Sequence, residues 1–309
     1  MIQSHGNERS SDLVNLGSTA RVSWSTKRAQ RRGSPAKRVP LSSDEPIRVD
    51  RIVTVADKNL AHELDEWLPS ARLCYPGTAL HVATDIPEEE FQSITSRLNV
   101  ENVIRMPLDL SAATPKIQKV NKWADHWILE AIWAKLDTLR SVVTDHPGEG
   151  IMLADADITF LKPIDRSFHA DVVLSPYYFG DFTQKTRDLD GDLIPLAERD
   201  GWFNAGMILT RSKEFCDWWI PQYEAGHPGS FVEQSALELV PGSFATDYLD
   251  ARHNFGKWRL SPPAPDTASV HMHIHEKSHR TDITMLKIAA QKAAAKARRL
   301  LRDNPDKRA

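Results

Sequence analysis

Apolar and polar positions alternate along this chain in a way that predicts strands and helices in turn. Residues Arg51–Asp57 (RIVTVAD) form a short β-branched apolar run, a strand. From Asn59 to about Leu73, the residues Leu60, Leu64, Trp67, Leu68 and Ala71 recur at helical spacing, and Pro76-Gly77 stops that helix. Ala79–Thr84 reads as a second strand, Glu88–Leu98 as a helix and Asn102–Met106 as a third strand. The longest helical pattern runs from Asn121 to Val142, with Trp123, Trp127, Ile128, Ala131, Ile132, Leu136 and Leu139 on one broad face. Gly150–Ala154 is a buried strand, and Ala170–Ser175 and Phe203–Thr210 are two more. Helices follow from Ser212 to about Tyr223 and over Glu233–Leu239, and Ser269–His275 is the last strand. Strands alternating with helices predict an α/β domain, a Rossmann-like and mostly parallel sheet with helices on its faces.

The ends of the chain depart from this pattern. Residues 1–46 are rich in Ser, Arg and Lys, with KRAQRRGSPAKR at Lys27–Arg38, and bury too little apolar surface to offset chain entropy. They are expected to form a disordered basic tail, and residues 47–283 the domain. Residues 284–309 form a basic, Ala-rich helical tail, either laid on an anionic membrane surface or packed on the domain edge with its charges in water.

Composition narrows the function. The 309 residues are 41% hydrophobic and 26% charged, an ordinary globular balance. A net charge of -3 argues against nucleic-acid binding by bulk charge. Cys74 and Cys216 form no disulfide framework, and neither a signal-peptide core nor a membrane-length apolar run occurs. The expected location is cytoplasmic, with peripheral contact at the inner membrane face through the basic tails.

The strongest chemical signal is IMLADADITF at Ile151–Phe160. A buried strand ends there on Asp155-Ala156-Asp157, and open α/β sheets bind ligands at the carboxyl ends of strands. Two acids in one place repel unless a cation lies between them. Mn²⁺ or Mg²⁺ takes carboxylate oxygens and bridges them to phosphates, and the small Ala156 leaves room for a bulky ligand. The alternative is a solvated acidic turn.

With these residues in place, the chain resembles the GT-A-type nucleotide-diphospho-sugar transferases. The resemblance rests on VTVADKN (Val53–Asn59), DADITFLKPI (Asp155–Ile164), WFNAGMIL (Trp202–Leu209) and VEQSAL (Val232–Leu237), in that order, and spans about Arg51–Lys277. It implies transfer of a sugar from a nucleoside-diphosphate sugar to a hydroxyl acceptor, a glycan or glycolipid, with a lean towards retention. Asp155 and Asp157 would hold the metal. Thr54, Ala56, Asp57, Asp85 and Lys135 would line the nucleotide side. Asn204, Ala205 and Gly206 would face the sugar, and Glu233 and Gln234 would lie near the reacting centre. Asn204 can both donate and accept hydrogen bonds, Gly206 admits close approach, and Glu233 can act as a general base.

The segment VHMHIHEK carries His271, His273 and His275 on one face of an extended strand. Members of the resembled family often supply a late histidine as third metal ligand, and Lys277 or Arg280 could stabilise the leaving phosphate. The glycine that often follows such a histidine is missing here, which leaves the choice open; His273 or His275 is favoured.

Two rival classes remain. DADIT also fits the motif of haloacid-dehalogenase-like phosphatases, with Asp155 as nucleophile and Asp157 as acid/base, although that motif normally sits on the first strand of its domain. DLDGD at Asp188–Asp192 is a weak substitute for their later acidic pair. A nucleotidyltransferase would want a Gly-rich basic loop after the first strand, which VTVADKN lacks. The second class is a non-catalytic carbohydrate-binding protein, for which Trp202, Trp218, Trp219 and Trp258 could stack on sugars.

Overall fold

The computed structural model describes residues 39, 41–109, 126–177, 185–187, 193–195, 201–225, 233–256, 266–271 and 281–304. Strands β1 (Arg51–Val55), β2 (Ala79–Thr84), β3 (Val103–Pro107) and β4 (Ile151–Ala154) follow the apolar runs closely. Four more, β5 (Ile158–Phe160), β6 (Val172–Pro176) and the antiparallel pair-mates β7 (Lys185–Arg187) and β8 (Leu193–Pro195), lie between the motif and β9 (Phe203–Thr210). β10 (Thr246–Tyr248) and β11 (Ser269–His271) complete the strands. The helices are α1 (Leu64–Cys74), α2 (Glu88–Leu98), α3 (His126–Asp145), α4 (Lys213–Ala225) and α5 (Thr281–Asp303). The expected Glu233–Leu239 helix is a 3-10 segment, Gln234–Leu239.

Seven strands make one sheet in the order β10-β6-β9-β4-β1-β2-β3. Every neighbouring pair is parallel except those made by β9, which runs against both β4 and β6. Periodicity predicts a strand at Phe203–Thr210 but says nothing of its direction. That direction matters, because it brings the start of β9, Asn204-Ala205-Gly206, to the carboxyl end of β4.

Helices cover both faces, as the two-sided burial of β4 and β9 requires. On one face Leu64, Trp67, Leu68 and Ala71 of α1 and Phe91, Ile94 and Leu98 of α2 pack on Ile52, Leu80, Val82 and Met152. On the other, Trp133, Leu136, Leu139 and Val142 of α3 and Phe215, Trp219 and Tyr223 of α4 pack on Val53, Leu153 and Ile208. Each fully buried aliphatic or aromatic side chain here contributes about 1.5–3 kcal/mol.

The described segments flanking the sheet on either side are tied to the domain. Ser42 donates from its backbone N–H to the Asp171 carboxylate at 3.0 Å, and the Arg211 guanidinium bonds the Ser43 and Glu45 carbonyls at 2.8 and 2.6 Å. Ile47 is buried and bridges Phe168. Packed chain therefore begins ahead of Arg51, because buried Arg211 and Asp171 supply polar partners that the composition of this segment does not reveal. Residues 1–38 lie outside the described part. At the other end, α5 lies on α1 with Ala294, Ala297 and Leu301 buried and Lys292, Lys296 and Arg299 exposed. Pro69 sits inside α1. It has no N–H, so the Asp65 carbonyl one turn back loses its helical donor, and Arg298 of α5 supplies one at 3.1 Å. Of the two expectations for this helix, packing on the domain edge is the one found.

At the edge of the sheet remote from the β4 acids, buried His81 accepts a 3.4 Å contact from Arg51, which is also paired to Glu149. Gly150 next to this cluster has no room for a side chain, since a Cβ would sit 1.8 Å from the Arg48 carbonyl oxygen. Burial, with help from Arg51 and His146 and against Glu149 and Asp145, pushes the His81 imidazole down to about 4 from its ordinary 6.5. The unfolded chain therefore takes up a proton that the fold refuses. Stability is fully present above pH 6.5 and is lost as pH falls towards 4. The loss attributable to His81 is on the order of 3 kcal/mol at its acid limit. A melting-temperature profile across that window should fall less steeply for His81→Gln than for the native chain; parallel profiles would contradict this account.

Candidate metal and donor site

The site grows from the end of β4. Asp155 donates its N–H to the Gly206 carbonyl at 2.8 Å, and Ile158 donates to the Asp155 carbonyl at 3.0 Å. The chain thus turns through Asp155-Ala156-Asp157 and re-enters as β5. Ala156 is buried and joins the core beneath, so its small size serves packing as well as the turn. β5 pairs antiparallel with β11, and the register sets His271 opposite Ile158. His271 Nε2 consequently lies 3.0 Å from Asp157 Oδ1 and 3.8 Å from Asp155 Oδ2. One ligand atom from each of Asp155, Asp157 and His271 falls within 4.8 Å of the others.

Two oxygens and one imidazole nitrogen are a donor set that Mn²⁺ or Mg²⁺ accepts, and the half-buried carboxylates stay reachable for a diphosphate. Among the described residues, the histidine brought to the acids is His271, placed there by the β5–β11 register; the sequence favoured His273 or His275. His273, His275, Lys277 and Arg280 lie outside the described residues, as does Asp188–Asp192.

Lys135, on α3, completes the electrostatics. Its ammonium bonds Asp155 Oδ1 at 3.1 Å and Glu233 Oε1 at 2.9 Å. Burial alone would lower its pKa, but the two carboxylates outweigh burial and hold it above its ordinary value. His271 follows the same logic. Burial pulls it down, while the charge and hydrogen bond of Asp157, aided by Asp155 and opposed by Lys135, raise it. Glu233 is buried and paired with Lys135.

The FNAG end of β9 plays a different part from the one expected. Asn204 is buried, accepting from the Gly206 N–H at 2.8 Å and donating to Gln234 Oε1 at 3.0 Å. Gln234 Oε1 also accepts from the Ala205 N–H at 3.2 Å and the Tyr177 hydroxyl at 2.8 Å. The amide of Asn204 thus makes its hydrogen bonds to neighbouring protein groups. Gly206 does permit close approach, but the group that approaches is His271: a Cβ on Gly206 would lie 2.3 Å from its Cε1. Asn254, Ser175 and Tyr177, which join this network, carry no spacing signal in the sequence.

On the nucleotide side, Thr54 and Ala56 are fully buried, and the Thr54 hydroxyl has no hydrogen-bond partner among the described residues. Asp57 caps the short 3-10 turn Lys58–Leu60 by accepting from the Asn59 and Leu60 N–H groups at 2.9 and 3.0 Å. Asp85 accepts from the Lys58 N–H at 2.6 Å. Both acids shape the loop at the carboxyl ends of β1 and β2, beside β4.

This architecture has counterparts among solved structures. The galactosyltransferase LgtC, in complex with donor and acceptor sugar analogues, matches at a TM-score of 0.51 and 17% identity, covering 80% of this chain and 95% of its own. The glycosyltransferase GlyE of Streptococcus pneumoniae TIGR4 matches at 0.47 and 13%, covering 80% of this chain and 63% of its own. No protein-family model and no curated protein matches the chain. The fold is the GT-A-like fold of glycosyltransferases, a mostly parallel sheet flanked by helices.

Gly206→Ala tests the close approach directly. The added methyl should displace His271 and lower Mn²⁺ affinity about 10- to 100-fold, with a modest fall in melting temperature. Native Mn²⁺ affinity in this variant, read by electron paramagnetic resonance, would contradict that role.

Proposed function

We propose that the protein is a metal-dependent glycosyltransferase that moves a sugar from a nucleoside-diphosphate sugar to a hydroxyl of a glycan or glycolipid. The observation that carries this reading is the Asp155-Asp157-His271 cluster at the carboxyl end of β4 in a GT-A-like sheet. These three residues would hold Mn²⁺ or Mg²⁺, which lends positive charge to a bound diphosphate. Lys135 keeps Asp155 and Glu233 apart in charge and adds a cation beside the leaving group. Gln234 has its carbonyl oxygen occupied by internal donors, so its Nε2 amide is what it offers to a ligand. The loop shaped by Asp57 and Asp85 is the natural seat for the nucleoside.

In the transfer, the C1–O bond to the diphosphate breaks with its electron pair staying on the phosphate oxygen, and the acceptor hydroxyl oxygen bonds C1. Glu233 is tied to Lys135, which favours a retaining course in which the departing phosphate oxygen takes the acceptor proton. The phosphatase reading is less favoured, since the motif closes the fourth strand and its second acid is paired with His271. Among the described residues no helix is long and apolar enough to cross a membrane. Exposed Lys292, Lys296 and Arg299 on α5 support peripheral contact with an anionic surface.

Thermal shift with UDP, GDP, CDP and dTDP, each with and without Mn²⁺, tests the reading and names the donor base. One nucleotide should stabilise the protein only with metal, by about 2.7 kcal/mol at a hundredfold excess over Kd, and Asp157→Asn should abolish that shift. Equal stabilisation of the native and variant proteins, or none by any nucleotide, would remove the metal-diphosphate assignment.

A further inference from the structure

Beyond its three candidate ligands, the site has a polar chain that reaches the far nitrogen of His271. Its polarity is fixed by two backbone groups that can only donate. The Gly206 N–H points at one side-chain oxygen of Asn204 (2.8 Å), which makes that atom Oδ1. The Ala205 N–H points at Gln234 Oε1 (3.2 Å), and Asn204 Nδ2 donates to the same oxygen (3.0 Å), so both amides are oriented consistently. The contact that Asn254 makes to Asn204 Oδ1 at 2.8 Å must then come from its Nδ2, which also reaches the Ser175 hydroxyl at 2.9 Å. Asn254 therefore turns its Oδ1 to His271 Nδ1, at 2.9 Å. A carbonyl oxygen only accepts, so Nδ1 carries the proton whether the ring is charged or neutral. Nε2, which faces Asp155 and Asp157, is then the nitrogen that keeps a lone pair for a metal whenever the ring is neutral.

The placement of Asn254 is itself specified. It is wholly buried, adopts the left-handed backbone at φ 50, which asparagine tolerates better than most residues, and donates its N–H to Ser269 Oγ at 2.7 Å. We infer that Asn254 is a positioning residue that fixes the tautomer and ring orientation of His271 and links it to the Asn204–Gln234 pair. This rests on reading Asp155, Asp157 and His271 as the metal site. The effect of Asn254 is exerted through the imidazole.

The test uses the full chain and two readouts. Long-range ¹H–¹⁵N NMR of the metal-free protein, at mildly alkaline pH, reports which ring nitrogen of His271 bears hydrogen; the signal is assigned by its loss in His271→Gln. Manganese affinity is read by electron paramagnetic resonance. The native protein should show the Nδ1–H form. Asn254→Gly keeps the left-handed backbone but removes the amide; it should show a mixture of tautomers and bind Mn²⁺ about 10- to 100-fold more weakly. Ser175→Ala, which removes only another partner of Asn254, should keep the Nδ1–H form. A native protein whose His271 ring carries hydrogen on Nε2 but not on Nδ1 overturns the inference without recourse to any variant. So does an Asn254→Gly protein with native tautomer and native affinity. If the native protein binds no Mn²⁺, the metal reading fails, while the tautomer result still decides the role of Asn254.

Discussion

Two like charges held within one turn at the end of a buried strand are the constraint that organises this molecule. Like charges so close repel unless opposite charge is brought to them. The chain brings it from two directions, Lys135 from α3 and His271 from β11. Each source depends on a distant part of the fold. α3 must pack on β1 and β4, β5 must pair with β11, and β9 must run backwards so that glycine, and not a larger residue, lies beneath the histidine.

The sequence revealed the parts of this arrangement that have a period or a chemical signature. β2, α2 and β9 coincide with their apolar patterns, and the acids fall at a strand end as the run IMLA implies. Lys135 was also legible as a cation ahead of that strand. Strand direction was not, because alternation along Phe203–Thr210 is the same whichever way the strand points. Nor was the approach of His271 to the acids, since it depends on the pairing of His271 with Ile158. Asn254 is a single polar residue in an irregular segment, and no period marks it.

The polar network also bears on how the motif residues are to be understood. Asn204 and Gln234 appear in the sequence as groups for binding sugar, and in the structure the Asn204 amide and the Gln234 carbonyl oxygen bond to neighbouring protein groups. Buried hydrogen bonds of this kind hold side chains in fixed orientations beside His271. Glu233 follows the same pattern: its carboxylate holds Lys135 in place, and the Trp219 indole bonds its backbone carbonyl at 3.0 Å.

Pro69 has an effect out of proportion to its size. By lacking one hydrogen it leaves a carbonyl of α1 available, and Arg298 uses that carbonyl 233 positions further along the chain. Any other residue at this position would carry an N–H able to bond that same carbonyl. The last helix is thus given its address by an atom that is absent, and α1 passes the anchorage on, because Ser70, the next residue, accepts the N–H of Phe160 at 3.1 Å. An imperfection in one helix becomes the latch that joins the end of the polypeptide to the strand flanking its acids.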